Sequence, residues 1–162
     1  MKDSLQVFPN TSFMIFASTM SFIKVAVHSV WGTKDRYPFL TDEFRYQICQ
    51  HILENARTKK IYIDTIDGYT DHLHCLYYLN SDLSISKSLQ LIKGESAFWI
   101  NQNKMFKNKF EWADDYFAVS VSESEIPKVR EYIVKQSEHH KKITFKEEYE
   151  KFLKYFTKNH QG

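Results

Sequence analysis

One stretch in the middle of the chain constrains the fold more than any other, residues 71–79 with the sequence DHLHCLYYL. It is rich in apolar and aromatic residues and follows the turn-forming residues 67–70, so it predicts a β-strand. Alternate side chains of a strand share a face, which places His72 and His74 on the same side, roughly 7 Å apart. Two imidazoles so placed suit a metal ion with an open coordination position. A half-exposed sheet face with two ordinary histidines explains the same pattern.

The composition is that of a globular protein, with 43% apolar and 26% charged residues among 162. These values exclude a disordered chain, and the length suits one domain. No apolar run approaches the ~18 residues that cross a bilayer, so we expect no membrane partner. The two cysteines, Cys49 and Cys75, give no disulfide framework. We therefore expect a cytoplasmic location.

The first 19 residues differ from the rest of the chain. They carry no charge after Lys2 and Asp3 and show no hydrophobic period, whereas a strand pattern opens at Met20. We expect residues 1–19 to be an N-terminal extension, either non-native read-through or a loosely ordered arm. The functional domain then comprises residues 20–162.

The hydrophobic patterns along residues 20–162 predict the element order β-α-β-β-α-β-α-α. The predicted strands are 21–31, 60–66, 71–79 and 112–121, and the predicted helices are 41–57, 84–98, 126–138 and 145–158. A polar loop is expected over 101–109. The order predicts an α+β fold, a ferredoxin-like antiparallel sheet with helices packed mainly on one face.

The helix predicted over 126–138 contains a second pair of polar residues, Tyr132 and Gln136. Residues four apart share a helix face, and these two flank the apolar stripe where the helix meets the sheet. A tyrosine hydroxyl and an amide carbonyl at that seam are placed to face the two histidines. An amphipathic helix with tyrosine at its border explains the same spacing.

Taken together, these motifs resemble the single-tyrosine transposases of the insertion sequence 200/605 family, in the histidine-hydrophobe-histidine nuclease superfamily. The resemblance rests on His72-Leu73-His74 followed by Tyr132 and Gln136 on a late helix, and it covers about Met20 to Phe156. Agreement extends to residues 28–34 (HSVWGTK), 91–96 (LIKGES), 116–121 (YFAVSV), 136–142 (QSEHHKK) and 144–149 (TFKEEY). The first 19 residues fall outside the pattern.

The resemblance implies an activity and a set of site residues. His72, His74 and Gln136 would bind one divalent metal, Mg²⁺ or Mn²⁺, and Tyr132 would be the nucleophile. The enzyme would nick and rejoin single-stranded DNA at hairpin-marked element ends through a 5′-phosphotyrosine intermediate. It would act as a homodimer, with the tyrosine helix serving its own chain's site or its partner's.

Two other functions fit the same residues. One is a domesticated, repeat-associated tyrosine transposase with the same nicking chemistry. The other is a non-catalytic module that binds single-stranded nucleic acid. Under any of these, candidate phosphate contacts are Lys34, Lys93, Lys104 and Lys107, and candidate stacking residues are Trp99 and Phe106.

The tandem histidines His139 and His140 follow the predicted ligand helix directly. They are either additional metal ligands or part of a solvated helix end, and we expect the solvated end. Glu147, Glu148 and Glu150 likewise favour a solvated face for the last helix.

Overall fold

A computed structural model describes residues 22–158 of the chain. Its architecture is built on one antiparallel sheet. In that range four strands lie in the order β2-β3-β1-β4. They are β1 (Ala26–Gly32), β2 (Tyr62–Gly68), β3 (His72–Tyr78) and β4 (Phe117–Val121). The predicted ferredoxin-like sheet is confirmed. The extension proposed for residues 1–19 lies outside the described residues.

The helices alternate with these strands largely as the patterns predicted. They are α1 (Asp42–Thr58), α2 (Ile85–Gln102), α3 (Ile126–Val134), α4 (Gln136–His139) and α5 (Phe145–Lys158). Ser84 caps α2 by accepting a hydrogen bond from the Lys87 amide. Among residues 22–158, none of the helices has the length and apolar character of a membrane span.

The two faces of the sheet are covered by different helices. Leu73, Cys75 and Tyr77 of β3 point into a large apolar core with α1 and α2, the two longest helices. The alternate residues of β3 point the other way, where Leu76 packs against Ile126 and Ile133 of α3. The histidines of β3 therefore lie under the C-terminal helices.

The hairpin between β2 and β3 fixes the register of the histidine strand. In that hairpin Asp67 pairs with His74 and Gly68 with Leu73. A side chain at Gly68 would collide with the carbonyl oxygen of His72, so only glycine fits. The predicted hairpin is confirmed, but its turn lies at residues 69–71, because Asp67 and Gly68 belong to β2.

Several predicted boundaries differ from the structure, among them the end of α2, which lies at Gln102 rather than at residue 98. The first strand begins at Ala26 rather than at residue 21. The fourth begins at Phe117 rather than at residue 112, because Lys93 Nζ donates to the carbonyl oxygens of Ala113 (2.7 Å) and Asp114 (3.2 Å) and ties this segment to α2. The helix predicted over 126–138 breaks at Lys135, which separates α3 from α4.

Candidate metal centre and active site

His72 and His74 lie side by side on the face of the sheet that α3, α4 and α5 cover. Both are 0% exposed, and their ring centroids are 5.1 Å apart. They share a face because they alternate with Leu73, which fills the opposite core. The alternative of a half-exposed sheet face is therefore wrong.

Hydrogen bonds at Nδ1 orient both rings. His72 Nδ1 lies 2.7 Å from Asp71 Oδ1, which leaves Nε2 facing the site. His74 Nδ1 lies 3.0 Å from Nε2 of His28, a residue of β1 to which the sequence reasoning gave no role. A carboxylate or imidazole partner on the far nitrogen is the usual way to orient a metal-binding histidine.

Burial keeps the imidazoles of His28 and His74 neutral. It lowers the pKa of His28 to about 4 and that of His74 well below the ordinary value. A neutral imidazole has a lone pair that can bind a metal ion. His74 is therefore in the ligand-competent form near neutral pH.

Gln136 lies at the start of α4 and reaches the histidine pair. It is fully buried, and its Oε1 lies 3.4 Å from His72 Nε2. Its side-chain amide donates to the Tyr132 carbonyl oxygen at 3.2 Å, which turns Oε1 toward the histidines. The fold thus brings together all three predicted ligands.

Tyr132 stands at the edge of this group, in the same chain. Its ring centroid is 5.6 Å from that of His74 and 6.3 Å from that of His28. Its hydroxyl lies 3.5 Å from His139 Nε2. The ring forms part of a surface cleft of about 390 Å³ that is also lined by Lys128, Glu131, Lys135, Glu138, His139 and Lys142.

Two further side chains complete the group, and sequence reasoning assigned neither of them to it. The side chains of His140 and Glu148 are only 2% and 4% exposed, and His140 Nε2 is 3.1 Å from Glu148 Oε2. One ligand atom from each of His72, His74, His140 and Glu148 lies within 4.8 Å of all the others. The solvated surroundings expected for His140 and Glu148 are wrong.

A faint signal for Glu148 exists in the sequence. It lies three residues after Phe145 and one before Tyr149, which places an acidic side chain beside the apolar stripe of α5. Glu147 and Glu150, by contrast, are exposed. Only the tertiary packing of α5 against the sheet distinguishes the three glutamates.

The donor atoms fit a divalent metal ion. Among the described residues, His74 Nε2, His140 Nε2 and both carboxylate oxygens of Glu148 are buried without a hydrogen-bond partner. Burial, with a smaller contribution from Asp71, raises the pKa of Glu148 to about 8. Buried polar atoms without partners are destabilising, and a cation among them removes that penalty.

Sequence comparison places this site in a known family. The family model described as "Transposase IS200 like" matches residues 21–136, which include His72, His74, Tyr132 and Gln136. The chain belongs to the IS200-like transposase family. The family is one of DNA-processing enzymes. The match ends before His140 and Glu148.

Solved structures agree with the IS200-like fold. A protein from Deinococcus radiodurans assigned as a transposase aligns with a TM-score of 0.58 at 22% identity, over 72% of this chain and 93% of its own. A REP-associated tyrosine transposase bound to a REP hairpin aligns with a TM-score of 0.56 at 18% identity, over 75% of this chain and 71% of its own. The curated proteins contain no significant match.

Four of the six other candidate contacts, Trp99, Phe106, Lys34 and Lys93, have structural partners away from the site. Trp99 stacks on His51 with ring centroids 4.0 Å apart. Phe106 packs against Phe39 and Phe44 at 4.8 Å each. Lys34 pairs with Glu111 at 3.2 Å, and Lys93 binds backbone carbonyls. Trp99, Phe106 and Lys93 therefore support the apolar layer of this IS200-like chain.

Proposed function

We propose that this protein nicks and rejoins single-stranded DNA at hairpin-marked ends, through a covalent 5′-phosphotyrosine intermediate at Tyr132. The observation that carries the proposal is the position of the Tyr132 ring, 5.6 Å from the ring of His74 in the same chain. A candidate nucleophile at the edge of a cleft thus lies beside the buried candidate metal ligands. The family supports a DNA substrate.

In the proposed reaction the Tyr132 oxygen attacks the scissile phosphorus. The bond between phosphorus and the 3′ oxygen breaks, and that oxygen leaves with a proton as a free 3′-OH. The tyrosine loses its phenolic proton and carries the 5′ phosphate. Because one ester replaces another, a second 3′-OH reverses the step and reseals the strand without ATP.

The chain's own residues have distinct roles in this reaction. His72, His74 and Gln136 would hold a divalent cation, Mg²⁺ or Mn²⁺. A bound cation would draw charge from the phosphate oxygens and steady the leaving oxygen. His139 accepts the phenolic proton, since its Nε2 lies 3.5 Å from the hydroxyl and its lowered pKa keeps it neutral.

The cleft beside Tyr132 suits a phosphate backbone. Lys128, Lys135 and Lys142 line it, and lysine side chains bind phosphates through charge. We infer that the substrate is a folded single strand, in keeping with the hairpin that the REP-associated neighbour binds. That neighbour also favours the second candidate, a repeat-associated enzyme with the same chemistry. We further propose a homodimer, which sedimentation would measure.

A covalent-adduct assay tests the proposal. The full chain is incubated with single-stranded hairpin DNA and Mn²⁺, and a denaturing gel detects protein that carries DNA. We expect an adduct with the wild type and none with Tyr132→Phe, which keeps hairpin affinity and thermal stability. Tyr116→Phe is the matched control, since Tyr116 lines a different cavity, and it should form the adduct normally.

A wild-type protein that binds the hairpin tightly and forms no adduct would contradict the proposal. The non-catalytic binding module would then be the correct function. An adduct that persists in Tyr132→Phe would instead show that a different residue attacks. Palindromes flanking the gene at both ends would distinguish a mobile element from a repeat-associated enzyme.

A further inference from the structure

His140 and Glu148, which follow the helix that carries Tyr132, have side chains almost as deeply buried as those of His72 and His74. The side chains of His140 and Glu148 are 2% and 4% exposed, against 0% for His72 and His74. Their segment lies beyond residues 21–136, the part of the chain that the family model matches. Nothing in the family match therefore assigns them a role.

The His140 ring is oriented like that of a metal ligand. Its Nδ1 donates to the carbonyl oxygen of Ile143 at 3.0 Å. This hydrogen bond fixes the proton on Nδ1 and leaves the Nε2 lone pair directed at the group. His72 is held in the same way by Asp71.

A purely structural pairing of His140 with Glu148 does not account for the arrangement. The two groups are 3.1 Å apart but form no hydrogen bond, and both Glu148 oxygens lack a hydrogen-bond partner among the described residues. A buried carboxylate requires a cation or a proton.

The separations suit one ion shared by four side chains. The ligand atoms of a tetrahedral ion with bonds of about 2.0–2.2 Å lie about 3.3–3.6 Å apart. The four donor atoms lie within 4.8 Å of one another, so they come onto one centre when the side chains move closer together. Three imidazole nitrogens and one carboxylate oxygen form the set. They lie beside Gln136 Oε1, the amide oxygen already proposed as a ligand, which is 3.4 Å from His72 Nε2.

We propose that His140 and Glu148 join His72 and His74 as ligands of a single transition-metal ion. The inference deepens the proposed function, on which it rests for the use of this site. Imidazole ligands favour zinc and other late first-row metals, whereas Mg²⁺ prefers oxygen ligands and retains water. The donor set therefore predicts selectivity for Mn²⁺, Co²⁺ and Zn²⁺ over Mg²⁺, rising in that order.

Calorimetry on the full chain without DNA tests the proposal. Chelator-treated protein is titrated with Zn²⁺, Mn²⁺ or Mg²⁺ alone. We expect one Zn²⁺ per chain, bound at least 100-fold more tightly than Mg²⁺. Glu148→Gln and His140→Gln should each weaken Zn²⁺ binding by at least 10-fold. Glu150→Gln, an exposed carboxylate on the same helix, should change it less than 2-fold.

X-ray absorption of the zinc-loaded wild type gives a test that needs no variant to fold. Three imidazole ligands and one carboxylate support the proposal, and two imidazoles overturn it. Unchanged Zn²⁺ affinity in folded Glu148→Gln and His140→Gln also overturns it. The proposed function would survive that result if the wild type still forms the DNA adduct.

A further outcome also distinguishes the four-ligand metal site from the proposed nicking function. If Glu148→Gln and His140→Gln both lose Zn²⁺ binding but the wild type forms no adduct with hairpin DNA, the four-ligand site stands. The proposed function then fails. Each claim therefore has an outcome that leaves the other intact.

Discussion

The two faces of the sheet are built from the same strands and serve different ends. Leu73 and Tyr77 of β3 are buried among apolar side chains under α1 and α2. Their neighbours His72 and His74 are equally buried but lie among polar groups under α3, α4 and α5. One face supplies apolar burial, and the other holds donor atoms without hydrogen-bond partners. In β3, the side chains that stabilise the fold and the candidate metal ligands therefore lie on opposite faces of the strand.

The largest expected effect comes from replacing a buried leucine of β3 with alanine, once on each face of the sheet. Leu73 and Leu76 are both 0% exposed, but Leu73 belongs to the large cluster and Leu76 to a small one. We expect Leu73→Ala to lower the free energy of unfolding by about 4–5 kcal/mol and Leu76→Ala by about 2–3 kcal/mol, because the smaller cluster relaxes more readily. Urea unfolding measures both. Equal losses would contradict this difference between the faces.

Zn²⁺ should raise the protein's free energy of unfolding by binding on the polar face, whatever is substituted on the apolar face. A ligand at 100 times its dissociation constant adds about 2.7 kcal/mol to the free energy of unfolding. We expect this increase with Zn²⁺ in the wild type and in Leu73→Ala, since Leu73 does not contact the site. Thermal unfolding with and without chelator measures it. A gain that vanishes in Leu73→Ala would mean that the two faces are not independent.

The metal-free protein should lose stability as the pH rises from about 6.5 to 8. The folded pKa of Glu148 is raised to about 8, so the folded state holds a proton that the unfolded state has released. Stability therefore falls through this window, by about 1–2 kcal/mol. Chelator-treated protein unfolded in urea across this range measures the loss.

The variant Glu148→Gln serves as the control for this pH effect, because it removes the titrating group and should flatten the profile. Below pH 6.5 the buried histidines act in the opposite sense. The pKa values of His28 and His140 fall to about 4, so stability should rise with pH between about 4 and 6.5. A wild-type profile that is flat from pH 6.5 to 8 would contradict the burial of Glu148.

The smallest effect concerns the apolar layer. Ser84 caps α2 through a hydrogen bond, whereas Thr41, at the corresponding position of α1, makes no side-chain cap bond. We expect Ser84→Ala to cost about 1 kcal/mol of unfolding free energy and Thr41→Ala to cost less. Neither should alter Zn²⁺ affinity, which calorimetry checks. A change in metal affinity would show that the layers are coupled.

Local patterns predicted the sheet and most of its helices. Alternation placed His72 and His74 on one face, and helical spacing put Tyr132 and Gln136 on the same side. The break at Lys135 was missed because the helical pattern continues through it. Hydrogen bonding still holds Gln136 near Tyr132 across that break.

The remainder of the site depends on contacts between distant segments. Glu148 differs from Glu147 only in the direction it faces once α5 packs on the sheet. The link between His28 and His74 requires the pairing of β1 with β3. Neither follows from periodicity, because both join segments that are far apart in the chain.

The position of Glu148 near the end of the sequence has a consequence for biosynthesis. At about 5–20 residues per second, roughly 4–15 seconds separate the translation of His72 from that of Glu148. The segments that form β1 to β3, α1 and α2 are therefore synthesised before the Glu148 carboxylate. A nascent chain holds all the residues of its large apolar cluster before it holds the complete donor set.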